Sequence, residues 1–218
     1  METVSFLATK QIVEVVSAFH DALEAHKEFV NRLNVYPVPD GDTGTNMFLT
    51  VGSVLEEMEA VDFDDREAVC AALSHGSLMG ARGNSGVILS QVLRGMSNCF
   101  AQADEIDGDV LASALTEASV AADGAVMKPV EGTILTVVRE VARAARDAAE
   151  TSAILQVVED ALAEGEAALE RTPEQLSVLR EAGVVDAGGA GFLLLLHAIL
   201  HVLDGRDLPA AENSREIA

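Results

Sequence analysis

The chain has no tryptophan and one tyrosine, and aromatic residues make up only 4% of it. Stacking platforms of the kind that hold single-stranded nucleic acid are therefore not expected. Basic residues are also scarce: 14 Lys and Arg stand against 36 Asp and Glu, a formal net charge of −22. Such a field repels a nucleic-acid backbone and an anionic membrane surface. A polyanion can be held only by a local device: metal ions, a few placed cations or helix N-termini. The two cysteines, Cys70 and Cys99, exclude a disulfide framework and read as small core side chains in apolar helical contexts. The N-terminus carries an early acid and no long apolar run, so no signal peptide is read. The most apolar stretch, Phe192–Leu203, falls short of the ~20 residues a bilayer requires and contains His197 and His201. A cytoplasmic protein without a membrane span is the expectation.

What is present suffices for a core. Hydrophobic residues make up 49% of 218, which excludes disorder and suits one domain. Helical periodicity dominates, with Ile12, Val15, Val16, Phe19, Leu23 and Phe29 on one face of a helix from about Thr9 to Leu33. Further helices are predicted at Gly44–Met58, Arg66–Met79, Asn84–Phe100, Val110–Met127, Thr133–Ala149, Ile154–Leu169, Pro173–Glu181 and Phe192–Leu203. Asp64 or Asp65 is the expected cap of the third, and Thr172 of the eighth, with Pro173 in its first turn. The tail from Asp204 is expected to fray. No segment alternates as a half-buried strand should, so the fold class is all-α with eight or nine helices.

Glycines cluster between the predicted helices, which suggests close backbone approach to a ligand or simply helix caps. Four such segments can carry chemistry. In Pro37–Asn46, Asp40 and Asp42 flank Gly41, and two hard oxygen ligands at that spacing suit Mg²⁺. Thr43, Gly44, Thr45 and Asn46 follow at a helix start, a natural phosphate seat; the alternative is a turn and a cap. In Gly80–Gly86, Arg82 can pair with a phosphate, and Gly83, Asn84, Ser85 and Gly86 can cradle one; the alternative is an ordinary turn. The third segment offers Lys128 as an isolated cation and Thr133 as a helix start. In the fourth, Asp186 precedes Gly188 and can serve a ribose or cap the last helix. His197 and His201 have the spacing of a metal pair but no third ligand, and read as half-buried histidines. Arg139, Arg143 and Arg146 read as a solvated face.

Taken together and in order, the segments Leu33–Met47, Met79–Gln91, Met127–Thr136 and Gly183–Gly189 resemble the N-terminal kinase domain of bacterial fatty acid kinase A. The chain is more distantly similar to the DhaL nucleotide-binding subunit of dihydroxyacetone kinases. The resemblance implies an antiparallel up-and-down barrel of eight amphipathic helices over residues 1–205, with 206–218 a polar tail or the start of a linker to further domains. It implies ATP or ADP at one open end and two Mg²⁺ held by Asp40 and Asp42, with Asn34 near the place of an additional DhaL aspartate. Arg82 would act with those aspartates in catalysis. DhaL carries a histidine where this chain has Thr43, which favours the fatty acid kinase branch. The expected activity is phosphoryl transfer to a fatty acid carboxylate held by a separate fatty-acid-binding acyl-carrier protein. The rivals are a dihydroxyacetone-type kinase subunit and a nucleotide-binding module inactive without downstream domains. A homodimer is a further expected form.

Overall fold

The computed structural model describes residues 5–149 and 153–210. The first residues read for a leader and most of the polar tail lie outside them. The described residues form α1 (Thr9–Leu33), α2 (Thr43–Met58), α3 (Arg66–Gly80), α4 (Gly83–Gln102), α5 (Gly108–Gly124), α6 (Ile134–Ala149), α7 (Ile154–Gln175), α8 (Ser177–Ala182) and α9 (Ala187–Asp204). Among them there is no strand, only one isolated bridge between Leu7 and Ile106. The all-α expectation is met.

Each helix buries one stripe, and short connections make successive helices antiparallel. α1 through α7 pack in chain order, and α9 lies against both α7 and α1, so eight helices close a ring. α8 is a short link that packs on α7. Phe19, Met47, Leu89, Leu115, Ile154 and Phe192 are among the fully buried side chains that fill the interior. At one end of the ring Arg66 ties α3 to the start of α1 and the end of α4, through Thr9 Oγ1 and the Ala103 and Asp104 carbonyls. The opposite end is where α2, α4, α6 and α9 begin.

α9 is long and apolar enough to cross a membrane by length and composition, with mean hydropathy 1.6. Here 72% of it is buried within the protein, against α1, α6 and α7. It starts at Ala187, five residues before the predicted start, because Gly188, Gly189 and Gly191 lie inside the helix. A Cβ on Gly191 would sit 2.6 Å from Met47 Sδ, and one on Gly189 would sit 2.8 Å from Val137 Cγ2. These glycines let three helices touch; they do not form a loop. Gly86 likewise lies within α4, 2.5 Å from Thr50 Oγ1 if given a Cβ.

Thr172 and Pro173 also depart from expectation. They sit inside α7 rather than starting a new helix. Pro173 lacks the N–H that would bond to Leu169 O. The Thr172 hydroxyl donates to that carbonyl instead, at 2.7 Å, and accepts from Asp186 N at 3.1 Å. The expected fraying from Asp204 is not seen as far as Pro209: Arg206 pairs with Asp204 and Glu159, and His26 Nε2 donates to Pro209 O.

Replacing Thr172 with Val leaves Leu169 O and Asp186 N buried without partners. Urea unfolding is expected to show a loss of about 2 kcal/mol. Adding Pro173→Ala, which restores the missing N–H, should recover about 1 kcal/mol.

Candidate functional site

A cavity of about 760 Å³ opens at the end of the ring where α2, α4, α6 and α9 begin. Its wall takes Thr43 from α2, Gly83 and Asn84 from α4, Ile134 from α6 and Gly188 from α9. Four helix starts therefore share one cavity. α1, α3 and α5 end at the same place, so the macrodipoles largely offset one another. What stays local is the set of N–H groups that each first turn leaves unbonded.

The first loop is held from α1. Asn34 is buried; its Nδ2 donates to Val38 O at 2.9 Å, and its Oδ1 accepts from Asp42 N and Thr43 N, each at 3.3 Å. One turn earlier, Asn31 Oδ1 accepts from Thr45 N at 3.1 Å while Nδ2 donates to Thr45 Oγ1 at 3.0 Å. Asp42 stands at the N-cap position of α2, yet its side chain makes no cap bond. Asp40 and Asp42 both line the cavity.

Two carboxylates fit Mg²⁺, which keeps several waters and shares its shell with substrate phosphates. Among the described residues no group of three or more His, Cys, Asp or Glu gathers as a metal cage. Asn34 does not extend the set as the structure stands: its oxygen already serves two N–H groups. It shapes the loop.

The second loop divides. Asn84 and Ser85 line the cavity, but the Arg82 side chain does not. Arg82 is exposed, and its guanidinium turns back to donate to Ala81 O at 3.2 Å. Its backbone N–H donates to Thr50 Oγ1 at 3.2 Å, and Thr50 donates to Asn46 O at 2.7 Å. Gly83 has φ +58°, and a Cβ there would lie 2.3 Å from Asn46 Nδ2. Gly44, Thr45, Asn46 and Gly86 are thus frame around the cavity rather than its lining.

Lys128 is the one basic side chain on the wall among the described residues. It lies on the segment between α5 and α6, beside the fully exposed Met127. That segment is anchored at its end. Glu131 pairs bidentately with Arg139 and accepts from Thr136 Oγ1, which in turn accepts from Gly132 N. The Arg139 guanidinium holds the Glu131 carboxyl below its ordinary range. Thr133 is buried on the wall and donates to Val130 O.

Asp186 is 6% exposed and caps α9, accepting from Gly189 N at 2.7 Å. The backbone N–H groups of Gly188 and of Ile134, the first residue of α6, also favour its charged form. Burial pushes its pKa up to about 6, while the three N–H donors pull it down. Of the two uses read from the sequence, the cap is realised, and the carboxylate faces the cavity as well. Sequence reading missed Asn31, Thr50, Thr136 and Glu131. The one available signal was Asn31, one turn before Asn34.

Val38, Val87, Ile88, Val126 and Met127 give the cavity apolar lining, and the aspartates, Asn84, Ser85 and Thr133 give it polar lining. A base and its phosphates call for both kinds of lining.

The model of the DAK2 domain matches residues 37–201, from the first loop through α9. The chain belongs to the DAK2 domain family. It is 47% identical to protein YloV of Bacillus subtilis over 201 residues, covering 92% of this chain and 36% of that protein. It is 48% identical to an uncharacterized protein of Staphylococcus haemolyticus over 189 residues, covering 86% and 34%. An uncharacterized protein of Staphylococcus saprophyticus is 43% identical over 208 residues, covering 95% and 38%. This DAK2 domain thus spans about a third of the length of the curated relatives it matches. The family is kinase-related and includes the DhaL-type subunit, whose domains bind ADP or ATP.

Asp186 gives the DAK2 domain a pH signature. Its pKa lies above the ordinary 3.8, so the folded form holds the proton more tightly than the unfolded one. The resulting stabilisation is full below pH 3.8 and is lost as pH rises through about 6. Between pH 5 and 7 the native protein should lose on the order of 1 kcal/mol relative to Asp186→Asn. Urea midpoints of both proteins at the two pH values check this.

Proposed function

We propose that this DAK2 domain binds ATP with two Mg²⁺ and transfers the γ-phosphoryl group to a fatty acid carboxylate. That acid is presented by a separate fatty-acid-binding acyl-carrier protein, and the product is an acyl phosphate. One observation carries the reading: Asp42 stands at a helix cap without capping, beside Asp40, on the wall of a cavity ringed by helix starts.

Phosphoryl transfer asks for position and charge neutralisation more than for covalent help. Asp40 and Asp42 would hold the cations, and bound Mg²⁺ supplies the neutralisation that a protein of charge −22 lacks. The N–H groups of Asn84 and Ser85 and the hydroxyls of Ser85 and Thr43 would serve phosphate oxygens. Lys128 reaches in from the rim, and Arg82 would join only by leaving Ala81 O. The apolar lining would take the base. In the transfer, a carboxylate oxygen bonds to the γ-phosphorus as the bond to the bridging oxygen breaks, and ADP leaves. A fatty acid has a pKa near that of Glu, about 4.3, so it arrives ionised and needs no general base. That agrees with a wall whose titratable side chains are Tyr36, Asp40, Asp42, Lys128 and Asp186. The reaction belongs in the cytoplasm, where ATP and Mg²⁺ are supplied.

A second reading rests on the family match itself. DhaL-type subunits belong to dihydroxyacetone kinases, so the acceptor would be a hydroxyl on a partner subunit. A third follows from length: the domain would bind nucleotide yet turn over only with the further domains of a longer chain or as a homodimer.

Calorimetric titration of ATP with and without Mg²⁺ tests the common ground. Asp40→Ala should weaken Mg²⁺-dependent binding by about tenfold or more, equal to about 1.4 kcal/mol, and leave binding in EDTA unchanged. Native protein that binds ATP no better with Mg²⁺ would refute the reading. ATP turnover with a loaded acyl-carrier protein, with dihydroxyacetone, and with neither then separates the three acceptor readings.

A further inference from the structure

We propose that Asn31 is a positioning residue: it occupies the hydrogen bond with which Asp42 would cap its own helix, and so keeps the Asp42 carboxylate available to a divalent cation. This rests on the reading of Asp40 and Asp42 as the cation's ligands.

The protein carries its own comparison. Four helices begin behind an aspartate: α2, α3, α5 and α9. In three of them the carboxylate turns back to the N–H three residues on, as aspartate caps usually do. Asp65 accepts from Ala68 N at 3.0 Å, Asp107 from Val110 N at 3.0 Å and Asp186 from Gly189 N at 2.7 Å. Asp42 is the exception. Its equivalent donor is Thr45 N, and that N–H already bonds to Asn31 Oδ1. The second bond, from Asn31 Nδ2 to Thr45 Oγ1, fixes the amide in place. Asn34 takes the N–H groups of Asp42 and Thr43. The last turn of α1 therefore does the capping of α2, and the cap residue is left idle.

Close approach makes this possible. A Cβ on Gly44 would lie 2.3 Å from Lys27 O, so α2 begins pressed against α1. Remove the Asn31 amide, and the Thr45 N–H becomes an orphan three residues after Asp42, whose backbone, at φ −120° and ψ 0°, would turn to the extended form of the other three caps to reach it. Asp42 would then turn inward, and each cation would have to displace it from the cap. A competing cap of ordinary strength lowers apparent metal affinity about five- to tenfold.

The experiment is calorimetric titration of Mg²⁺ into native protein, Asn31→Ala and Asn31→Asp, with ADP binding in EDTA as the metal-free reference. A crystal structure of metal-free Asn31→Ala reads the carboxylate directly. Asn31→Ala should bind Mg²⁺ about five- to tenfold more weakly, bind ADP in EDTA as native protein does, and place Asp42 on Thr45 N. Asn31→Asp keeps an acceptor for that N–H and should bind Mg²⁺ at least as tightly as native protein. Should Asn31→Ala not fold, Asn31→Ser, too short to reach Thr45, takes its place with the same expectation. Native-like Mg²⁺ affinity in Asn31→Ala, an Asp42 still turned away from Thr45, or an Asn31→Asp as weak as the alanine variant overturns the proposal. Native protein that takes up no Mg²⁺ overturns the metal reading instead; the crystal structure still decides whether Asn31 blocks the cap.

Discussion

An α-helix begins with N–H groups that have no partner inside the helix, and something must satisfy each of them. In this DAK2 domain an antiparallel ring starts four helices around one cavity, so that requirement is concentrated in one place. How it is met differs from helix to helix. α9 is capped by its own Asp186, which accepts from Gly189 N. α2 is capped from outside, by Asn31 of α1 and by Asn34 just after it. The N–H groups of α4 behind Arg82, which makes no side-chain cap bond, open on the cavity. A helix end with satisfied donors is structural; one with free donors, or with an idle carboxylate, is equipped to meet a ligand.

Charge sets the second condition. A protein of net charge −22 repels a nucleotide at long range. The cavity does not reverse that field, since Asp40, Asp42 and Asp186 stand on its wall against Lys128. It offers direct N–H donors instead, together with carboxylates placed where cations can bridge them to phosphate. In the proposed reading, the acidic composition and the use of cations are two sides of one design. Arg82, exposed and bonded to the Ala81 carbonyl, does not line the cavity.

Much of the fold was legible in the sequence because amphipathic periodicity reports burial directly. The stripe of α1 appears in the structure as read, and of the two caps offered for α3 Asp65 is the one used. The misreadings share a cause: local rules were applied where a distant segment decides. Pro173 signals a helix start, but the Thr172 hydroxyl replaces its missing N–H, and α7 runs on. Gly188, Gly189 and Gly191 signal a loop, but they are where Val137 and Met47 press against α9. Asn34 sits where a ligand was expected, and its side chain is spent on the loop backbone.

Sequence alone determined the helical class, the four segments that gather at one end, and the presence of two hard-oxygen side chains between prolines. Those are consequences of residue type and spacing along the chain. The tertiary structure decided which of the named side chains face the cavity and which are frame, because that depends on hydrogen bonds between helices. Asn31 and Thr45 lie 14 residues apart in the chain, and no local pattern marks them as partners. Only the approach of α2 to α1 brings amide to N–H, and that contact decides whether Asp42 ends a helix or faces a ligand.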